Sequence, residues 1–368
     1  MPDFDPTAFS NLVDITRHHA AHTPDAVAFR FLETGEVDGP IDTWTYARLD
    51  RRARAIAAHL RGSVPAGTRA LLVFPPGMDF IQAFFGCLYA DLVAVPAYPP
   101  DPTRLDKTLP RFQSVASTSG AEIALTTTDM LGLTQALAVM APALSGLRWV
   151  GVDGVPDEQA ARYERPPELG PETIAFIQFT SGSTSDPKGV VIRQRHLLAN
   201  EEMIRRRGGT DRTTVALNWI PFYHDMGLIL GVLHGAYVGG ASILMSPMHF
   251  LQRPMRWLYA MSRFSAHLSA APNFAFDLCV RRSTPADLAA LDLSSWRAAA
   301  SGAEPVRGDS LRAFAEHFAA CGFQPEAPSP GYGMAECVLS TCAGTPGEPW
   351  RSVRVDPAAL QLHRVIPS

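Results

Sequence analysis

Apolar and polar positions along this chain follow two periods that alternate from one end to the other. Short apolar runs rich in β-branched residues, Val27–Leu32, Ala70–Phe74, Leu92–Val95, Ile123–Thr126 and Arg148–Val150, predict strands. Between them Asn11–Ala21, Met78–Tyr89, Leu105–Ser117 and Met130–Met140 predict helices, with an interruption expected at Pro110. Thr45 stands as a cap before Tyr46, Leu49, Ala53, Ile56 and Leu60, which recur at spacings of three and four and stop at Gly62. Thr43-Trp44 pairs with the first strand across the turn at Glu33–Glu36. The second half repeats the alternation. Strands are expected at Phe176–Phe179, Val190–Ile192, Thr214–Trp219, Ala241–Met245, Ala266–Ser269 and Trp296–Ala300. Helices are expected at Arg195–Arg207, Met226–Tyr237, Arg253–Phe264, Asn273–Arg282 and Val306–Phe318.

Continuous apolar strands between helices imply an α/β fold with two adjacent, mostly parallel sheets, each covered by helices. The polar, Pro/Glu/Arg-rich stretch Gly151–Pro171 sets the expected boundary. The expected units are therefore 1–170, 171–343 and a tail, 344–368.

Composition narrows the partners more than the fold. With 46% hydrophobic and 18% charged residues in 368, the chain can bury a sizeable core, and a net charge of -4 argues against nucleic acid or an anionic membrane. Five cysteines without CxxC spacing read as reduced thiols of a cytoplasmic protein. The acidic start Met1-Pro2-Asp3-Phe4-Asp5 has no signal-peptide pattern. Met226–Met245 is long enough to span a bilayer, yet its glycines and His234 suit a buried helix, a Gly-Gly stop and a core strand, so no transmembrane segment is expected.

The candidate chemistry begins between two strand-like runs. Thr180, Ser181, Ser183 and Thr184 place four hydroxyls beside Gly182, and Pro187-Lys188-Gly189 closes the stretch. Hydroxyls and backbone N–H groups turned inward can wrap a phosphate, with Lys188 at the rim. A Walker-A loop fits poorly, because Pro187 precedes the lysine, Gly189 follows it and Val190-Val191-Ile192 favours a strand. On composition alone, a surface turn fits too. Lys188 is one of only two lysines, against thirty arginines.

Four further stretches lie where strands give way to helices. Asn218–Gly227 puts His224 near a helix start, where it could equally be a capping or core histidine. Ser301-Gly302-Ala303-Glu304-Pro305 and Gly331–Glu336 offer small residues that let a flat ring approach the backbone, as a plain turn also would. Ser269–Cys279 carries Ala270, Ala271, Phe274 and Phe276, which suit either an apolar tunnel or an ordinary helix core.

Taken together, Thr180–Thr184 with Pro187-Lys188-Gly189, the decapeptide Asn218–Gly227, Gly302–Pro305 and Tyr332–Glu336 resemble the motifs of the adenylate-forming superfamily. The resemblance implies that Thr180, Ser181, Gly182, Ser183, Thr184 and Lys188 hold ATP phosphates. It places His224 beside the carboxylate and the α-phosphate. Gly302, Ala303, Glu304, Pro305 and Tyr332 would enclose adenine, with Gly333, Met334 and Ala335 along the nucleotide, and Glu336 would ligate Mg²⁺. His224, Lys188 and Glu336 are thus the implied catalytic set. Ser185 and Ala335 depart from common residues at those places, Gly and Thr.

Val95–Pro100, Ser269–Cys279, Leu291–Arg297 and the tail resemble fatty acyl-AMP ligases in particular. That implies an acyl-binding set of His224, Ser269, Ala270, Asn273 and Phe276. It also implies ATP-dependent activation of a fatty acid and passage of the acyl group to a thiol of an acyl carrier protein or polyketide synthase carrier domain, in lipid or polyketide biosynthesis. A CoA-using ligase and a non-catalytic fragment that only binds nucleotide or acyl-adenylate are the alternatives. The family's Thr-Gly-Asp ribose motif, hinge and lid lysine do not occur in these residues. The tail is expected to pack on the second unit through Val353, Val355 and Leu360.

Overall fold

The protein is described by a computed structural model at residues 4–101, 103–132, 141, 144, 146–180 and 187–368. Its described strands, numbered in chain order, are β1 (Val27–Leu32), β2 (Ile41–Thr45), β3 (Arg69–Val73), β4 (Val93–Ala97), β5 (Ile123–Thr126), β6 (Arg148–Gly151) and β7 (Ile174–Thr180). They continue as β8 (Lys188–Arg193), β9 (Val215–Asn218), β10 (Ala241–Met245), β11 (Leu268–Ala271), β12 (Ala298–Ser301), β13 (Pro328–Gly333) and β14 (Ser340–Ala343). One sheet runs β6-β5-β3-β4-β7-β8, the other β14-β13-β12-β11-β9-β10-β1-β2. Pairing inside both is parallel, and the antiparallel pairs β7/β8, β13/β14 and β1/β2 lie at their edges.

The expected α/β class holds, but the sheets do not divide the chain at residue 170. β1 and β2 cross into the sheet of the second half, while β7 and β8 complete the sheet of the first. The main apolar core correspondingly runs from Leu12 to Leu339. A second core lies beneath the helix Leu105–Ser119, where Leu109 and Phe112 meet Leu71, Val73 and Val95.

Local chemistry sets most helix ends. Asn11 accepts the Asp14 N–H to open the helix Leu12–His22, and Thr45 accepts the Arg48 N–H to open Tyr46–Arg61. Tyr46, Leu49, Ala53, Ile56 and Leu60 are all buried, as their spacing requires. Pro110 does not interrupt its helix. Pro110 itself is exposed, while Leu109, Phe112, Val115 and Ala116 hold the inner face in the core, so one missing bond is tolerated on the solvent side. Most of the Met130–Met140 expectation lies outside the described residues.

β12 begins at Ala298 rather than Trp296, whose N–H closes a turn on the Leu293 carbonyl at 3.1 Å. Two short helices went unforeseen, Pro247–Gln252 behind its Ser246 cap and Pro285–Ala290 behind a Thr284/Asp287 capping box.

The tail departs from expectation. Val353 and Leu360 are 66% and 50% exposed, and the helix Pro357–Gln361 buries no residue. Asp356 caps that helix, and Val355 bridges Pro367, so residues 353–368 fold mainly on themselves. Trp350 is the anchor, with its ring beside Gly308 and the Arg312 guanidinium 5.5 Å above it.

Candidate active site

The C-terminal ends of β7, β9, β12 and β13 converge on a cavity of about 820 Å³, the place where open α/β sheets bind ligands. Thr180, His224, Gly302, Ala303, Tyr332 and Glu336 line one part of it. Leu230, Leu268 and Ala298 line another, at the N-terminal starts of β11 and β12. Ala298 and Ser301 both face the cavity, so it follows the strand for about 10 Å.

Asn218 shapes the segment that carries His224. Its Oδ1 accepts the Ile220 N–H at 3.0 Å, and its Nδ2 donates to the carbonyls of Ile220 and Gly227. A Cβ at Gly227 would strike the Pro221 carbonyl, and one at Gly231 would strike Asn218, so both glycines permit this close packing. The helix that follows is not α-helical at first. Met226–Leu233 is a π-helix, and the α form resumes only at His234–Val238. The Asn218 amide on the Gly227 carbonyl is a side chain engaged in the helix ladder, a known cause of such irregularity.

His224 is half exposed at this helix entrance. Asp225 Oδ1 lies 2.7 Å from Nδ1 and accepts the Met226 N–H at 2.7 Å, while Nε2 has no partner among the described residues. Sequence adjacency thus becomes real contact. Gln178, a polar side chain inside β7, donates to the Tyr223 carbonyl at 2.7 Å and ties the first sheet to this segment. Its Oε1 and the Ser301 Oγ are buried and lack partners among the described residues.

Gly302 follows β12 directly, and a Cβ there would lie 3.2 Å from the Gly331 carbonyl; Ala303 takes a left-handed φ of 65°. Together with the 59%-exposed Tyr332 they form a shelf open to the cavity. Gly333, Met334 and Ala335 continue the wall. Glu304 and Pro305 do not line it. Glu304 instead accepts the Phe274 N–H at 2.8 Å, on the first turn of the helix Asn273–Arg282.

Glu336 sits on the tight turn Ala335–Cys337, exposed and on the cavity wall. No group of three or more potential metal ligands occurs among the described residues. A lone carboxylate nevertheless fits Mg²⁺, which is commonly held by one or two carboxylates plus phosphate oxygens. Lys188 is exposed opposite Thr180 at the connected end of the antiparallel pair β7/β8 and is not on the cavity wall. The hairpin confirms a strand after the lysine, while Ser181, Gly182, Ser183 and Thr184 lie outside the described residues.

Arg111 was not foreseen. It reaches the cavity from the helix Leu105–Ser119 and makes no hydrogen bond or ion pair with a described residue. Burial and neighbouring Tyr98 push the Tyr223 phenol up to about 12, against the pull of Arg111. No periodic signal marks such an arginine.

Four of the expected acyl-binding residues are core instead. Ser269 accepts from Trp257 Nε1 and donates to the Leu217 carbonyl, and Asn273 accepts the Arg307 N–H. Ala270 is buried, and Phe276 is enclosed by Trp257, Trp296 and Phe314. The apolar wall comes from Met203, Ile204, Leu230, Leu268 and Ala298 instead. Of the acyl set, His224 alone faces the cavity.

A two-sheet α/β scaffold with a cavity at strand ends, continued by an apolar wall, belongs to the class of open α/β proteins that bind ligands at the carboxyl ends of their strands. The AMP-binding enzyme family pattern matches residues 16–360, and the chain belongs to that family. It is 37% identical to a medium-chain-fatty-acid–[acyl-carrier-protein] ligase of Moorena producens, covering 97% of this chain and 60% of the relative. It is 34% identical to a long-chain-fatty-acid–AMP ligase of Mycolicibacterium smegmatis, with 97% and 57% covered. The fatty acyl-adenylate ligase of L. pneumophila, solved with acyl adenylate and pyrophosphate, superposes with a TM-score of 0.90 at 36% identity, over 100% of this chain and 62% of that one. The chain thus spans about three-fifths of the relatives it matches.

Proposed function

We propose that this chain carries the adenylation site of a fatty acyl-AMP ligase. The observation that supports this most is one continuous cavity, in which the surfaces around Thr180, Ala303, Tyr332 and Glu336, suited to phosphate and adenine, run on into the apolar wall of Leu230, Leu268 and Ala298. A nucleotide and an aliphatic acid would meet at their junction. His224 lines it there with an Nε2 that has no partner among the described residues.

In this reading the fatty carboxylate oxygen attacks the α-phosphorus of ATP. A new P–O bond forms as the bond to the β-phosphate oxygen breaks, and pyrophosphate leaves with the electron pair. A carrier-protein thiolate then attacks the acyl carbonyl carbon, and AMP departs. The protein supplies no nucleophile; it positions reactants and stabilises charge. Thr180 and Lys188, with residues 181–184, are assigned to the outer phosphates, His224 orients the carboxylate against the α-phosphate, and Gly302, Ala303 and Tyr332 receive adenine. Mg²⁺, held by Glu336, would neutralise phosphate charge. The residues assigned to nucleotide chemistry fall within 171–343. The five free cysteines, three of them buried, suit a reducing cytoplasm.

The test is ATP–pyrophosphate exchange on the purified chain with medium- and long-chain fatty acids, with acyl-adenylate identified by mass spectrometry. Exchange dependent on the fatty acid is expected, far slower in this chain than in a version extended to the relatives' full length. Nucleotide binding with no exchange for any acid, in this chain and in a version extended to the relatives' full length, would leave only a binding role.

A further inference from the structure

Asn200 lies on the helix Gln194–Gly208, which leaves β8, and is 8% exposed. Its Nδ2 donates to the Cys337 carbonyl at 3.1 Å and to the Ser340 carbonyl at 2.9 Å, while its Oδ1 accepts the Ser340 N–H at 3.2 Å. One amide thus grips the chain on both sides of Val338. Val338 has φ 72° and ψ −64°, a γ-turn conformation rare for any L-residue and worse for a β-branched one. Its N–H reaches the Ala335 carbonyl at 2.8 Å, and the Met334 N–H reaches the Leu339 carbonyl at 2.9 Å. Glu336 sits inside this loop and faces the cavity.

A strained backbone persists only where its surroundings over-determine it. We propose that Asn200 is a positioning residue for Glu336: its amide holds the Val338 turn in its strained form and so fixes the carboxylate that faces the nucleotide phosphates. The proposal rests on the adenylation reading for the ligand, but not for the clamp itself. Without Asn200, Val338 is free to relax to negative φ, carrying the adjoining Glu336 turn with it. The clamp also links the helix that follows the phosphate hairpin to the metal-binding turn, so both halves of the phosphate site share one support.

The experiment compares the unsubstituted chain with Asn200→Ala, Val338→Gly and the double variant. Amide hydrogen exchange at Ser340, measured without any ligand, reports the clamp. Calorimetric Mg²⁺ titration of ATP binding, with AMP as reference, reports Glu336. Asn200→Ala should speed Ser340 exchange and raise the Mg²⁺ half-saturation about tenfold, as loss of an outer-shell support does, with AMP affinity unchanged. Glycine accepts φ 72° without strain, so Val338→Gly in the Asn200→Ala background should recover part of the Mg²⁺ response. Unchanged Ser340 exchange, equal losses for AMP and ATP, or a double variant worse than Asn200→Ala would each overturn the proposal. An unsubstituted chain that binds no ATP defeats the adenylation reading instead, while the exchange measurement still decides the clamp.

Discussion

Lys188 is a residue whose meaning depends on a loop at its side. It stands at the first position of β8, opposite Thr180, with its side chain in solvent. A charge there can reach only what protrudes from the cavity, which in the proposed pose is the β- and γ-phosphates. Lys188→Ala should therefore weaken ATP roughly tenfold or more, the usual worth of a charge-assisted bond, and leave AMP nearly unaffected. Equal losses by calorimetry would move Lys188 off the outer phosphates. At this scale the motifs were legible where backbone geometry itself makes the site: Thr180, His224, Ala303, Tyr332 and Glu336 do share one cavity. They were not legible where the deciding fact is which way a helix faces. Phe276 and Asn273 look as suitable for a tunnel as Leu230 and Met203, yet the former pair faces the aromatic core and the backbone. Arg111 comes from a distant helix that gives no hint of its target.

Among the elements, the π-helix Met226–Leu233 shows what patterning can and cannot foresee. Its residues are buried almost throughout, as an apolar run demands, but period alone cannot tell a π from an α register. The Asn218 amide and the two glycines set the difference. Gly231→Ala would push a methyl into the Asn218 side chain and should cost about 1–3 kcal/mol in urea denaturation, with weaker nucleotide binding through a displaced His224 segment. A substitution that leaves both unchanged would show that the helix can shift to make room. The helix Leu12–His22 carries a different dependence, on pH. His19 is buried against Phe4 and the Gly239 turn, and desolvation, with His18 adding to it, lowers its imidazole to about 4. The unfolded chain, near 6.5, therefore takes up this proton first as pH falls. Stability from His19 is complete above about 6.5 and declines toward about 4, by up to roughly 3 kcal/mol. Urea midpoints at pH 7.5 and 5 should differ accordingly, and His19→Phe should flatten that part of the profile. An unaltered slope in the variant would assign the acid sensitivity elsewhere.

The molecule as a whole is less divisible than its sequence suggests. A polar stretch at 151–171 reads as a boundary because linkers and surface connections share a composition. Here Asp157 and the Val152 and Val155 carbonyls are bound by Arg51 and Arg52, so the stretch is strapped onto the helix Tyr46–Arg61. Strand exchange between the sheets, invisible to local patterning, completes the union. The tail is the reverse case: its Val353, Val355 and Leu360 look fit to pack, yet Val353 and Leu360 are exposed and Val355 bridges Pro367. Its stability contribution should then reside in Trp350, against Gly308 and beneath Arg312. Deleting residues 351–368 should change unfolding free energy by no more than about 0.5 kcal/mol, as for surface changes, whereas Trp350→Ala should cost about 1 kcal/mol or more through lost packing and the cation–π contact. Urea denaturation of the two variants decides it. If the deletion is the more damaging change, residues 351–368 pack on this part of the protein in solution, and their exposed apolar side chains are not free.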